Sequence, residues 1–267
     1  MNRTTEAVWA RRAPHGIEVI DAHAHTGPFS LFFIPDPDPT SMVRVMDRCG
    51  VSTALISAHL AVQLDTRAGN EATAAAVARY PDRFRGYITV NPWQDPVAEI
   101  ERWADDARFC GIKIHPDQHA YPLTGSRYSA VWEFAAAAAA PVLTHTWAGS
   151  AYNDLPMVGD IADRHPQVTI LAGHSGGMPA GYDEAIAVAA RHPYVVLEIC
   201  SSRGHGRYLQ HMVDEVGADQ VVFGSDFPYL DLRVGLGRVL FAKLSDADAA
   251  AVLGGTITRL LSHKKEI

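Results

Sequence analysis

Eight short β-branched or apolar runs recur along this chain, each followed by an Ala-rich amphipathic stretch. The runs are Val19-Ile20, Thr53–Ser57, Gly86–Val90, Gly111–His115, Val142–Thr146, Val168–Ala172, Val195–Ile199 and Val221–Gly224. Helical periodicity fills Ser41–Arg48, Asn70–Tyr80, Pro96–Phe109, Ser129–Ala140, Met157–His165, Asp183–His192 and Arg207–Val216, then Leu232–Leu244 and Asp246–Leu261 after the last run. Regular strand-helix alternation implies βαβ units around a parallel sheet buried on both faces. Eight such units in 267 residues predict an α/β fold, a closed (β/α)8 TIM barrel. An open doubly wound sheet competes with it. No strand-to-helix junction carries G-x-G-x-x-G, however, and Gly173-His174-Ser175-Gly176-Gly177 lacks that spacing. No Pro/Gly/Ser-rich linker divides the sequence, so one domain is expected over residues 1–267, with the barrel at about 17–261.

Composition removes several function classes. Lys plus Arg total 23 against 30 acidic residues, a formal charge of −7, and basic pairs occur only at Arg11-Arg12 and Lys264-Lys265. Phosphate backbones would be repelled, so no nucleic acid partner is expected. The longest apolar run, Phe134–Leu143, is broken by Pro141 and falls short of the ~20 residues a bilayer requires, so no membrane partner is expected either. Met1–Gly16 shows no apolar core of an export signal. Cys49, Cys110 and Cys200 lie too far apart for a C-x-x-C pair and read as reduced thiols, which fits a cytoplasmic location.

Thirteen histidines remain to be placed, and proline sorts them. Tyr80-Pro81, His165-Pro166 and His192-Pro193 each follow an Arg and precede a strand. Proline stops the preceding helix, so these turns belong to the bottom of the barrel. His165 and His192 are thus read as structural or solvent-facing, as are His211 and His263. The opposite rim is where a barrel carries function. The first strand ends Asp21-Ala22-His23-Ala24-His25, and side chains two apart on a strand share a face. The fifth strand adds His145, the sixth His174 and the eighth Asp226. Taken alone, H-x-H carries little. Five such residues at four strand ends on one side point to a catalytic divalent metal: zinc first, with Mn2+, Fe2+ or Ni2+ also suited to nitrogen and oxygen donors.

Longer motifs surround these positions. They are Asp21-x-His23-x-His25, Pro81–Gly86, Gly111–Pro116, Pro141–Thr146, Gly173–Gly177, Gly224–Pro228 and the closing Leu253–Leu261. In this order they resemble the amidohydrolase superfamily, and more narrowly the amidohydrolase-related group that includes aminocarboxymuconate-semialdehyde decarboxylase. The resemblance spans Val19 to Leu261. It implies one metal held by His23, His25, His145 and Asp226, with His174 polarising the substrate or moving a proton. Asp226 would double as the base. The expected reaction is hydrolysis of a small amide, ester or lactone by metal-activated water. Non-oxidative decarboxylation of a small aromatic or unsaturated carboxylic acid is the alternative that the same residues serve. Compactness of the barrel and Tyr229, where relatives often carry His, favour hydrolysis. In binuclear relatives a modified lysine on the fourth strand bridges two metals. Lys113 occupies that strand, and it is read here as paired with a buried acid such as Glu198. Metal-free lactonase chemistry and a non-enzymatic binding role are weaker readings, because every expected ligand is present.

Substrate choice in such a barrel resides in the strand-to-helix loops. His59, Trp147, Arg203 and Tyr229 fall in these loops, and His115 shares the inward face of Lys113; these five are the candidate substrate-binding residues. His59 and Arg203 would meet an anionic group, while Trp147 and Tyr229 would form aromatic walls. Leu31-Phe32-Phe33-Ile34, followed by prolines at 35, 37 and 39, reads as a pocket wall, a lid or a subunit contact. That loop and the arm bearing Trp9 are the candidate contacts of a homodimer.

Overall fold

The structure, a computed structural model, describes residues 16–201 and 203–264. The arm bearing Trp9, the Arg11-Arg12 pair and Lys265 lie outside the described residues. Eight strands form one sheet in sequence order: β1 Ile20–Thr26, β2 Thr53–Ala58, β3 Phe84–Thr89, β4 Phe109–Ile114, β5 Val142–His145, β6 Ile170–Gly173, β7 Val195–Glu198 and β8 Val221–Val222. Every paired neighbour is parallel. The ends of the sheet meet as well. Ala22 N–H donates to Phe223 O at 2.9 Å, Asp226 N–H to His23 O at 2.8 Å and His25 N–H to Phe227 O at 2.7 Å. The sheet is thereby a nearly closed (β/α)8 barrel.

Helix starts follow from short polar side chains at the top of the barrel. Asp38, Asp65, Asp95, Asp154 and Asp231 each accept a hydrogen bond from a first-turn N–H of the helix that follows. These bonds satisfy donors that a helix cannot pair internally. The helices end as expected before Pro81, Pro166 and Pro193. Several expected boundaries move; the helix expected over Asp183–His192 runs Pro179–Ala189, and the one expected over Leu232–Leu244 ends at Leu240. The helix starting at Pro96 stops at Trp103, so that Phe109 begins β4 instead of ending a helix. The last expected helix, Asp246–Leu261, contains a π turn at Ala251–Gly255. There Glu18 O presses so close to Gly254 that a Cβ would collide with it. Short helices at His59–Gln63 and Pro116–His119, within strand-to-helix loops, are not legible in the periodicity.

Inside the barrel one apolar layer contains Leu55, Tyr87, Leu143, Leu171, Val196 and Val222, closed below by Ile257 and Leu260. Two residues further along the strands, the inward positions turn polar: Ser57, Thr89, His145 and Glu198. Strand periodicity thus stacks a polar layer on an apolar floor. A larger apolar cluster fills the space between sheet and helices. On β1 the register shifts between Asp21 and Ala24, a bulge that aims His23 inward along with His25. Cys49, Cys110 and Cys200 are free thiols. Among the described residues no helix is long and apolar enough to cross a membrane.

Candidate active site

His23 and His25 are each fixed by their Nδ1 edge. His23 Nδ1 donates to Glu198 Oε2 at 2.7 Å, and His25 Nδ1 faces Ser57 O at 3.2 Å. An oxygen partner at Nδ1 places the proton there and leaves Nε2 with its lone pair. Both Nε2 atoms converge on Asp226 Oδ1, at 3.7 Å from His23 and 3.2 Å from His25. Three electron-pair donors facing one another require a shared proton or a cation between them. Lys113 Nζ, 2.8 Å from His23 Nε2, is the cationic group nearest to hand.

The expected pairing of Lys113 with Glu198 is not what forms. Among the described residues Lys113 makes no ion pair; Glu198 is saturated instead by His23, by the His174 N–H at 3.1 Å, by the Cys200 N–H at 2.5 Å and by the Cys200 thiol at 2.9 Å. Cys200 Sγ also lies 3.3 Å from His174 Nδ1, so a thiol links Glu198 to that ring. Sequence reasoning places Glu198 in the barrel only as a partner for Lys113 and misses Cys200, because Leu-Glu-Ile-Cys at a strand end has no motif to flag it.

His145 is oriented by Asp117 Oδ2 at 3.3 Å and by Asn153, and its ring stacks on His115 with centroids 4.1 Å apart. His174 follows β6 directly and Asp226 lies four residues past the end of β8; they hold φ of 66° and 62°, a region costly for residues with a Cβ. Asp21, fully buried beneath them, accepts hydrogen bonds from the His23 N–H, the Ser225 N–H and the Ser225 hydroxyl, which ties β1 to β8.

Burial dominates the electrostatics. It pushes His23 and His115 well below the usual imidazole range and His174 down to about 3, aided by neighbouring rings and by Lys113. It pulls Lys113 down to about 8. Burial alone would raise Asp226, but the contact with His25 and the electrostatic influence of His174, His23 and His25 hold it well below the usual carboxylate range. The site therefore offers neutral imidazoles and an ionised carboxylate, the states that ligate a divalent cation. The carboxylate behind His23 and the carbonyl behind His25 are the outer partners that metal-binding histidines require. These residues fit such an ion. One group of ligand atoms, His23, His174, Cys200 and Asp226, lies within 4.8 Å of one another, and His25 Nε2 approaches Asp226 Oδ1 to 3.2 Å beside it. His25 and His145, expected as ligands, border this group rather than belong to it.

The cavity above these atoms has a volume of about 250 Å³ and is lined by His23, His25, His59, Lys113, His115, His145, Trp147, His174, Asp226 and Tyr229, together with Phe29. Residues that the sequence assigns to six different strand ends and loops thus meet in one place. Arg203 does not. Its side chain is exposed and rests against Met178, because the loop after β7 turns it outward. His59 is buried and hydrogen-bonded through Nδ1 to Gly27 O at 2.8 Å, and burial pushes it down to about 3, so it cannot serve as the expected cation for an anionic group. Of the apolar loop, Ile34 is buried, Phe32 packs on Phe29 and Tyr229, and Leu31 and Phe33 are exposed. His119 lies buried outside the cavity, and His205 caps the helix Gly206–Val216.

A family profile described as amidohydrolase matches residues 20–262. The chain is 25% identical to a gamma-resorcylate decarboxylase from Polaromonas sp., over 86% of this chain and 93% of that one. Among solved structures, the 5-carboxyvanillate decarboxylase of Sphingomonas paucimobilis superposes with a TM-score of 0.71 at 18% identity, over 92% and 99% of the two chains. A dihydroxybenzoic acid decarboxylase from Polaromonas sp., solved with manganese and the inhibitor 2-nitroresorcinol, gives 0.68 at 18% identity, over 92% and 97%. These likenesses overturn the expectation of a hydrolase. The relative it matches is a decarboxylase even though its matched region is longer than this chain's, so compactness of the barrel does not separate hydrolysis from decarboxylation. The same donor set serves both reactions, which is why the motifs could not separate them.

Proposed function

The chain belongs to the amidohydrolase family, and on that premise we propose that it is a metal-dependent decarboxylase of a small hydroxylated aromatic acid. The observation that carries this reading is the convergence of His23, His25 and Asp226 on the floor of a small cavity walled by Phe29, Trp147 and Tyr229. One divalent cation would be held by His23, His25, His145 and Asp226. Zinc and manganese both suit nitrogen and oxygen donors, and elemental analysis of the purified protein decides between them. When bound, the cation supplies positive charge that anchors substrate oxygens and offsets charge developing on the ring.

The remaining chemistry belongs to side chains of this chain. The aromatic walls hold the ring by apolar contact and exclude water. Lys113, buried and without an acidic partner among the described residues, attracts the substrate carboxylate toward the floor. Asp226, held ionised, accepts a proton from the bound acid or its hydroxyl and returns it to the ring carbon that bears the carboxylate. The carbon–carbon bond then breaks, its electron pair stays with the ring, and carbon dioxide leaves. His174, neutral and braced by Cys200, polarises the substrate beside it. Assay of a panel of hydroxybenzoic acids for the matching phenol, with and without a chelator, tests the reading. Phenol formed only by metal-loaded protein supports it; no phenol from any acid removes it.

A further inference from the structure

We infer that His59 is the residue that recognises the substrate's hydroxyl group, accepting a hydrogen bond from it at Nε2. This inference rests on the proposed reaction class and assigns part of its specificity. His59 begins the short helix His59–Gln63 directly after β2, is 2% exposed and lines the cavity. Its Nδ1 donates to Gly27 O at 2.8 Å, which fixes the tautomer and strips Nε2 of its proton. That Nε2 is buried and has no hydrogen-bond partner among the described residues. A buried acceptor left bare is unfavourable, so a buried polar atom of this kind calls for a partner. The ring cannot swing away to find one, since its face stacks on His25 with centroids 4.7 Å apart and Phe29 and Tyr229 pack against it at 5.2 and 5.7 Å.

The chemistry of the partner follows from the atom. An imine-type nitrogen with a lone pair accepts a hydrogen bond; it repels a carboxylate and ignores a C–H edge. A phenolic O–H donates one. Carboxylate and hydroxyl would therefore be sorted to different parts of one cavity, the carboxylate toward Lys113 and the hydroxyl toward His59. A site built to bond a hydroxyl rejects the analogue that lacks it, because the buried acceptor stays unpaired.

The test measures binding, so it does not depend on turnover. Benzoate and its 2-, 3- and 4-hydroxy derivatives are titrated calorimetrically into metal-loaded wild-type protein, His59→Phe and His59→Gln. Phenylalanine keeps the aromatic stack and removes the acceptor; glutamine keeps an acceptor and serves if the first variant does not fold. At least one hydroxybenzoate is expected to bind wild type about tenfold or more tighter than benzoate, the size of one buried hydrogen bond. His59→Phe should abolish that preference while leaving benzoate affinity within about twofold, and His59→Gln should retain part of it. Equal loss for benzoate and the hydroxybenzoates, no preference in wild type, or no binding at all would overturn the assignment. Decarboxylation of a hydroxybenzoate with the preference unchanged in His59→Phe would overturn the role of His59 and leave the reaction class standing.

Discussion

Glu198 Oε2 accepts the Nδ1 proton of His23 at 2.7 Å, with both residues almost wholly buried. This bond joins β7 to β1 across the barrel, fixes the imidazole tautomer and aims Nε2 at Asp226. Glu198→Gln replaces an anionic acceptor by a neutral amide of the same shape. Outer partners of metal-binding histidines typically contribute 10–100-fold in affinity. A loss of about that size is expected when metal binding is measured by competition with a chelator. Unchanged affinity would mean that His23 is oriented without Glu198.

Gly224 makes room for that carboxylate. A Cβ at 224 would collide with Glu198 Oε1 and sit 2.8 Å from His23 Cβ. Overpacking a close-packed interior costs roughly 1–3 kcal/mol. Gly224→Ala should lower the denaturant midpoint by a corresponding amount and weaken metal binding together with it. A variant as stable as wild type with full metal content would contradict the packing described for this layer.

Asp226 is held ionised among histidines, so its carboxylate is available as both ligand and base. Asp226→Asn removes the charge and the proton acceptor while keeping the size. Turnover of any decarboxylated acid should fall by about 10²-fold or more, the usual scale of general acid–base catalysis. Retention of near-normal turnover by metal-loaded Asp226→Asn would move the proton chemistry to another residue.

Acid should destabilise the protein partly through His119. Burial, countered by its hydrogen bond with Val62 O, lowers its pKa from 6.5 to about 4. As pH falls from 6.5 toward 4, the unfolded chain takes up a proton that the folded chain refuses. Stability that is complete above pH 6.5 is therefore lost across this window and levels off below about 4. Each tenfold weakening of proton binding corresponds to roughly 1.4 kcal/mol, so the largest loss from this group is on the order of 3 kcal/mol. His119→Gln should flatten the pH dependence of the unfolding free energy between pH 4 and 6.5. An identical slope in the variant would show that other groups carry it.

The barrel and its rim are readable because strand-to-helix polarity follows from local signals. Proline after Tyr80, His165 and His192 marks the bottom turns, and every parallel strand then sends its last residues to the same mouth. His23, His25, His145, His174 and Asp226 meet for that reason. Asp21 stands in the first-strand motif and Glu198 among the barrel's acids, but what they bind, and Cys200 altogether, is not readable, since all three act through contacts between strands distant in sequence. His59 sits at the rim, as its position after β2 implies, yet without the charge expected of it. Residue type says that an imidazole can carry charge; only burial and the bond to Gly27 O show that this one does not. Arg203 departs from expectation differently, because the path of a loop cannot be read from strand periodicity. Hydrolysis and decarboxylation differ in which substrate bond breaks, and no residue of the chain records that.

The carbon–carbon cleavage proposed at the Asp226 site can be followed with 2,6-dihydroxybenzoate carrying carbon-13 at the carboxyl, by NMR on metal-loaded protein. Labelled carbon dioxide and bicarbonate should appear in step with unlabelled resorcinol, and both should vanish with Asp226→Asn or a chelator. Label remaining in the intact acid, with wild-type protein shown to be metal-loaded and to bind it, would contradict the claim.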